Sequence, residues 1–149
     1  MKEHRKKNSP DIIKCFLQDL TAGKDSLELL SFSDEPKAFN DFVARMRFKG
    51  FDAELINDRD QISLSIIDGS RYGVDFASLL EFIGAGATGE QYNRNLFQLS
   101  VREQIRIVLE DAESEADAVA AAITAPSFRE RFETFLRKRS EKMFGSEHR

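Results

Sequence analysis

The spacing of the hydrophobic residues changes along the chain, and this change constrains the fold more than any other feature of the sequence. Between residues 51 and 76, apolar side chains alternate with polar ones, most regularly at Ile62, Leu64 and Ile66. Such alternation is typical of half-buried β-strands. Polar turn signals at residues 57–60 and at Asp68-Gly69 interrupt it. We therefore predict a small three-stranded antiparallel meander.

Before the meander, the apolar residues recur at helical spacing. Ser9 and Pro10 form a helix start signal and Gly23 follows the last apolar position, which predicts a helix over about residues 10–20. Residues 27–32 fit either a helix or a strand. A second helix is predicted to begin at residues 34–36 and to stop at Gly50. Its core face would hold Phe39, Phe42, Val43 and Met46.

After residue 76 the spacing is helical almost to the end of the chain. Thr88 is a candidate N-cap, and Ser100 with Glu103 matches a capping box. Because the strands are segregated from the helices, the predicted class is α+β rather than a parallel α/β sheet. The predicted architecture is N-terminal helices, the three-stranded antiparallel meander and a C-terminal helical half.

The chain length limits the number of domains, and the cysteine content indicates the cellular compartment. At 149 residues the chain has the size of one domain, so we predict a single α+β domain over residues 1–149, with frayed tails at 1–8 and 145–149. Cys15 is the only cysteine, which excludes an internal disulfide and suits a reducing compartment. No apolar run approaches the roughly 18 residues that span a bilayer, and no signal-peptide stretch opens the chain. We expect a cytoplasmic protein with no membrane partner.

The 26 carboxylates are numerous enough to form pairs by chance, so a glycosidase-like or magnesium-dependent site stays open on residue types, but a solvated surface is the preferred interpretation. Histidine and cysteine are few and poorly placed for catalysis. His4 and His148 fall in the predicted tails, where a general base cannot be held against a substrate. Cys15 stands beside Phe16 in an apolar helix, where burial is the expected fate of its thiol. No cysteine–histidine pair has metal-ligand spacing. The sequence therefore predicts no catalytic residues, no metal and no cofactor.

One glycine-rich segment suggests a different function, namely nucleotide binding. Residues 84–89 read Gly-Ala-Gly-Ala-Thr-Gly, and Glu110 follows 26 positions after Gly84. The segment resembles the dinucleotide-binding fingerprint of the Rossmann fold, which implies a phosphate-binding loop and an acidic residue on the ribose. The helix after it opens with polar residues, and no further strand follows Glu110. The alternative to a phosphate-binding loop is that residues 84–89 simply connect two helices.

The charges are distributed unevenly. Lys and Arg exceed Asp and Glu by three in residues 1–14 and again in 126–149, whereas residues 15–125 hold ten basic and twenty acidic side chains. Acidic surfaces attract basic proteins and accelerate their encounter. Nine carboxylates in two clusters are the candidate partner-binding residues: Asp52, Glu54, Asp58 and Asp60, and Glu110, Asp111, Glu113, Glu115 and Asp117.

The sequence thus favours a non-enzymatic binding protein whose acidic surface captures a basic protein partner, as inhibitors of the immunity or antitoxin type do. The alternative is a nucleic-acid-associated accessory or regulatory protein that uses the basic termini. A nucleotide-binding enzyme that uses the 84–89 glycine loop is the third hypothesis. Oligomeric state leaves no signal in this sequence.

Overall fold

The computed structural model describes residues 10–34, 41–68 and 71–145. The described helices are α1 (Pro10–Thr21), α2 (Phe76–Phe82), α3 (Gly89–Phe97), α4 (Val101–Ser114), α5 (Ala116–Thr124) and α6 (Phe128–Gly145). The described strands are β1 (Leu27–Asp34), β2 (Phe42–Phe48), β3 (Phe51–Asp58), β4 (Gln61–Ile67) and β5 (Gly73–Asp75). Of the predicted tails, residues 1–8 and 146–149 lie outside the described residues, and Gly145 ends α6.

The strands form one antiparallel sheet in the order β1-β2-β3-β4-β5. The α+β class and the antiparallel meander are confirmed, but the meander has five described strands rather than three. The predicted strands are β3, β4 and β5. The two that were missed are β1, which the sequence left open between helix and strand, and β2.

The helix predicted from residues 34–36 to Gly50 is wrong, because its second half is strand β2. Phe42, Ala44, Met46 and Phe48 alternate into the core, so the apolar period there is two. Gly50 is not a helix stop: with Lys49 it forms a two-residue hairpin turn between β2 and β3. Both residues have positive φ, 50° and 84°, as a type I′ turn requires. Residues 35–40, including Phe39, lie outside the described residues.

The helices in the described ranges pack on one face of the sheet. Helix α1 packs on β1, and α2 and α4 pack on β4. The buried strand residues Leu55, Leu64 and Ile66 belong to the same hydrophobic cluster as Leu17 of α1 and Ile105 of α4. Because side chains alternate between the faces of a strand, the residues between these buried positions point away from the helices.

The last helix is held by an aromatic cluster. Phe82 at the end of α2 makes edge-to-face contacts with Phe128, Phe132 and Phe135 of α6, with ring centroids 5.4–5.8 Å apart. Aromatic pairs of this geometry add stabilisation to that gained by burying their apolar surface. The cluster therefore attaches α6, the last helix of the chain, to α2 in the helical layer.

Candidate functional site

One face of the sheet points away from the helices and takes no part in the hydrophobic core. Among the described residues its side chains are all exposed or half-buried, so no described element packs over them. We call this surface the open face. Its members on β1 to β4 are Glu28, Ser31, Ser33, Val43, Arg45, Arg47, Asp52, Glu54, Ile56, Asp58, Gln61, Ser63, Ser65 and Ile67.

The middle of the open face is apolar. Val43 on β2 is the direct cross-strand partner of Ile56 on β3, and both are half-buried. Ser33 pairs with Val43 and Ser63 pairs with Ile56 on the two sides. Small polar residues therefore flank a β-branched pair at the centre of the surface.

Three of the predicted partner-binding carboxylates lie on this face. Asp52, Glu54 and Asp58 occupy alternate positions of β3. Within the described part of the chain, none of the three takes part in an ion pair or a side-chain hydrogen bond. Arg47 lies directly opposite Asp52 in the register but its guanidinium contacts Glu28, at 3.8 Å. Arg45 likewise lies opposite Glu54 in the register. The strand thus carries three carboxylates that form no ion pair within the described residues, and two of them face an arginine of β2.

The second predicted cluster lies on the helical side, away from the open face, and four of its five carboxylates already contact groups of the chain itself. Glu110 pairs with Arg106 at 3.0 Å, and Asp111 accepts the Tyr92 hydroxyl at 2.8 Å. The other two contacts join this layer to the sheet side of the molecule: Glu113 with Lys24 at 2.7 Å and Asp117 with Lys49 at 2.8 Å. The hydrogen bond from Lys49 lowers the pKa of Asp117.

The remaining two candidates belong to neither surface. Asp60 lies in the two-residue turn between β3 and β4, where Arg59 and Asp60 both have positive φ. Its carbonyl accepts a hydrogen bond from Gln104. Glu115 is the half-buried residue at which α4 ends and α5 begins. The structure therefore brings together Asp52, Glu54 and Asp58 and separates them from the helical cluster.

Sequence reasoning missed the half of the open face that β1 and β2 supply. Val43 was assigned to the core of a helix, and Arg45 and Arg47 were given no role. The available signal was the alternation of residues 42–48, in which both arginines fall between buried apolar positions.

The glycine segment connects two helices rather than a strand and a helix. Residues 76–82, which precede it, form α2. The first N–H of α3, at Gly89, donates to Glu81 Oε1 at 2.7 Å. In the dinucleotide fingerprint, N–H groups of this kind face a phosphate. Here a carboxylate of the chain itself takes the hydrogen bond, and Glu110, the candidate ribose ligand, pairs with Arg106.

Part of the basic charge of the C-terminal region is used internally. The guanidinium of Arg129 stacks on Tyr72 at 4.3 Å from the ring centroid, and that of Arg131 lies over Phe82 at 5.8 Å. Arg139 forms an ion pair with Glu81 at 3.2 Å. Residues 1–9, which carry the N-terminal basic cluster, lie outside the described residues.

The groups considered for catalysis are placed as follows. His4 and His148 lie outside the described residues. The expectation that Cys15 is buried is wrong: the thiol is exposed, on the side of α1 opposite to buried Ile13 and Leu17. In residues 10–34, 41–68 and 71–145, no three His, Cys, Asp or Glu side chains are grouped so that they could hold a metal ion. No helix in these ranges is both long and apolar enough to cross a membrane.

Comparisons with known proteins give no match to a protein-family model, to a curated protein or to a solved structure.

Proposed function

We propose that this chain is a non-enzymatic binding protein that captures a basic protein partner on the open face of its sheet. The observation that carries the proposal is the difference between the two acidic clusters. Asp52, Glu54 and Asp58 have no charge partner among the described residues, whereas Glu110, Asp111, Glu113 and Asp117 contact groups of the chain itself.

Unpartnered carboxylates are suited to an intermolecular contact. A partner lysine or arginine can approach them without first breaking an internal ion pair. Their negative potential steers a basic protein toward the surface and sets its orientation. The helix-side carboxylates then contribute only long-range attraction.

The apolar centre of the open face supplies the second requirement of a protein interface. Specific interfaces combine an apolar core that excludes water with a polar or charged rim. Val43 and Ile56 form such a centre, and the β3 carboxylates and the β2 arginines surround it. We propose that the protein acts as a cytoplasmic inhibitor of the immunity or antitoxin type, whose flat sheet covers the working surface of its partner.

Two variants with the same change in net charge test the assignment. The sheet-face variant is Asp52→Asn, Glu54→Gln, Asp58→Asn, and the helix-side control is Glu110→Gln, Glu113→Gln, Asp117→Asn. Each is immobilised beside the wild-type protein and exposed to lysate of the source cells. A partner retained by the wild type is then purified and titrated against all three proteins by calorimetry.

The proposal predicts a basic partner that binds the wild type and the control variant with similar affinity. Its affinity for the sheet-face variant should be weaker by about threefold to a hundredfold, since three charge contacts at roughly 0.2–1 kcal/mol each are lost. Equal affinity for the sheet-face variant and the wild type would overturn the proposal. Retention of nucleic acid alone would favour the basic termini instead.

A further inference from the structure

Two rows of side chains cross the open face from β1 to β4 and share one pattern. The first row consists of Ser33, Val43, Ile56 and Ser63. The second row consists of Ser31, Arg45, Glu54 and Ser65. In both rows a small hydroxyl residue lies on each outer strand. The midline between β2 and β3 separates two apolar side chains in the first row and two opposite charges in the second.

This pattern is complementary to itself under a twofold axis. We consider an axis parallel to the strands, midway between β2 and β3 and just above the open face. It places β2 of a second copy over β3, and β3 of the second copy over β2. Residues at the same level of the register then face each other: Val43 meets Ile56 of the second copy, and Arg45 meets Glu54 of the second copy. Each contact occurs twice, as in isologous dimers, and the strands of the two sheets are nearly aligned, as in packed sheets.

The charges of the second row are not engaged inside the chain. Arg45 is exposed and Glu54 is half-buried, and within the described residues neither takes part in an ion pair or a side-chain hydrogen bond. In the dimer two arginines and two glutamates alternate around the axis, so each charge has an opposite charge across the interface. Arg47 already contacts Glu28 at 3.8 Å, and the arrangement does not depend on it.

We propose that two copies of this chain form a twofold dimer through the open face, with Val43 and Ile56 at its centre and an Arg45–Glu54 contact on each side of the axis. A basic partner complements β3 alone, whereas a second copy complements β2 and β3 together. The strands of the face are seven or eight residues long, which is small for a permanent interface, so the dimer is reversible. It does not rest on the capture proposed above, but it competes with that capture for the same surface.

Sedimentation-velocity ultracentrifugation at increasing protein concentration measures the association. The wild type should shift from monomer to dimer. Arg45→Glu and Glu54→Arg should each weaken the association by about tenfold or more, because each places like charges across the interface. Arg137→Glu is the matched control: it makes the same charge change as Arg45→Glu at an exposed position of α6 and should leave the association unchanged.

An equimolar mixture of Arg45→Glu and Glu54→Arg separates a contact between chains from an effect inside one chain. The two positions are also cross-strand neighbours, so each variant carries a like-charge repulsion within its own sheet that mixing does not remove. Across the interface of a mixed dimer, both contacts join opposite charges. We therefore expect the mixture to recover the dimer that neither variant forms alone. Circular dichroism checks that each variant is folded.

Three results would overturn the proposal. The first is a wild type that stays monomeric at millimolar concentration. The second is association that Arg45→Glu and Glu54→Arg leave unchanged, or that Arg137→Glu weakens equally. The third is a mixture of the two folded variants that associates no better than either one. If a single variant does not fold, Arg45→Glu/Glu54→Arg replaces it, since this double variant keeps opposite charges at both levels; it should dimerise as the wild type does, and a monomer would contradict the proposal.

The two proposals on this surface fail separately. A monomeric wild type that retains a basic partner removes the dimer and leaves the capture. A wild-type dimer that retains no partner removes the capture and leaves the dimer.

Discussion

At the scale of single residues, Gln104 shows how one buried polar side chain joins the sheet to the helices. It is fully buried on α4, and its Oε1 accepts the Ile62 N–H at 2.9 Å. Its Nε2 donates to the carbonyls of Asp60 and Leu99 at 2.8 and 2.9 Å. One amide group therefore satisfies the turn that ends β3, the start of β4 and the loop before α4.

Replacing Gln104 with leucine should destabilise the protein by about 2–3 kcal/mol, because three backbone groups lose their partner at a buried position. Urea denaturation followed by circular dichroism measures the free energy of unfolding. Gln91→Leu is the matched control, since Gln91 is exposed on α3. Its effect should stay within about 0.5 kcal/mol. A similar loss in both variants would show that the Gln104 hydrogen bonds contribute nothing specific.

Tyr92 is a second single residue with a testable effect, because its ionisation makes the free energy of unfolding depend on pH. Burial and the hydrogen bond to Asp111 raise the pKa of its hydroxyl above the ordinary value near 10. Above about pH 10 the unfolded chain therefore releases a proton that the folded protein retains. The stabilisation from this group is fully present below that pH and is lost as the pH rises further.

We expect the free energy of unfolding to fall as the pH rises from about 10 to 11, and to fall less steeply in Tyr92→Phe. Urea denaturation at several pH values measures both slopes. The variant should also lose about 1 kcal/mol at neutral pH, where Asp111 no longer receives its hydrogen bond. Identical slopes in the two proteins would contradict the assigned role of Tyr92.

At the scale of elements, α6 depends on its aromatic residues rather than on its charges. Phe132 is buried and contacts Phe82 at 5.4 Å, and it stacks on Phe128 at the same distance. Arg137, on the same helix, is exposed and makes no ring contact within the described residues. The helix is therefore attached along one side only.

Phe132→Ala should cost about 3–5 kcal/mol, since it leaves a cavity at the centre of the aromatic cluster. Arg137→Ala on the same helix should change stability by about 0.5 kcal/mol or less. Thermal denaturation of the three proteins compares them directly. Equal melting temperatures for Phe132→Ala and the wild type would mean that α6 does not pack on α2 as described.

A comparison of the predicted and observed helices and strands shows which sequence signals were sufficient to predict them. Thr88 and Ser100 cap α3 and α4 as predicted, accepting from Gln91 N and Glu103 N. Capping is a local interaction, so the sequence specifies it directly. Strand β2 was mistaken for a helix because Phe42 and Met46 satisfy a spacing of four residues as well as a spacing of two. The pairing of β2 with β1 and β3 decides between helix and strand, and the spacing of residues 42–48 does not show that pairing.

The candidate site was predictable only in part for the same reason. The alternation along β3 places Asp52, Glu54 and Asp58 on one side of a strand, which the sequence shows. Whether a carboxylate has an internal partner depends on contacts between distant segments. Glu113 meets Lys24, and Asp117 meets Lys49, across separations of 89 and 68 residues. No local pattern reports such pairs.

At the scale of the whole molecule, the two sides of the sheet have different roles. The covered side joins β1–β5 to the helices in one hydrophobic cluster, and the helix-side carboxylates reinforce that layer through internal contacts. The open side keeps three carboxylates around an apolar centre with no described contact. This division is the basis of the proposed capture of a basic partner.

The ratio of the partner's dissociation constants for the sheet-face and helix-side variants tests this division most directly, because both variants alter the net charge by the same amount. We predict a ratio of about three or more, with the helix-side variant close to the wild type. A ratio near one, or weaker binding by the helix-side variant, would contradict it.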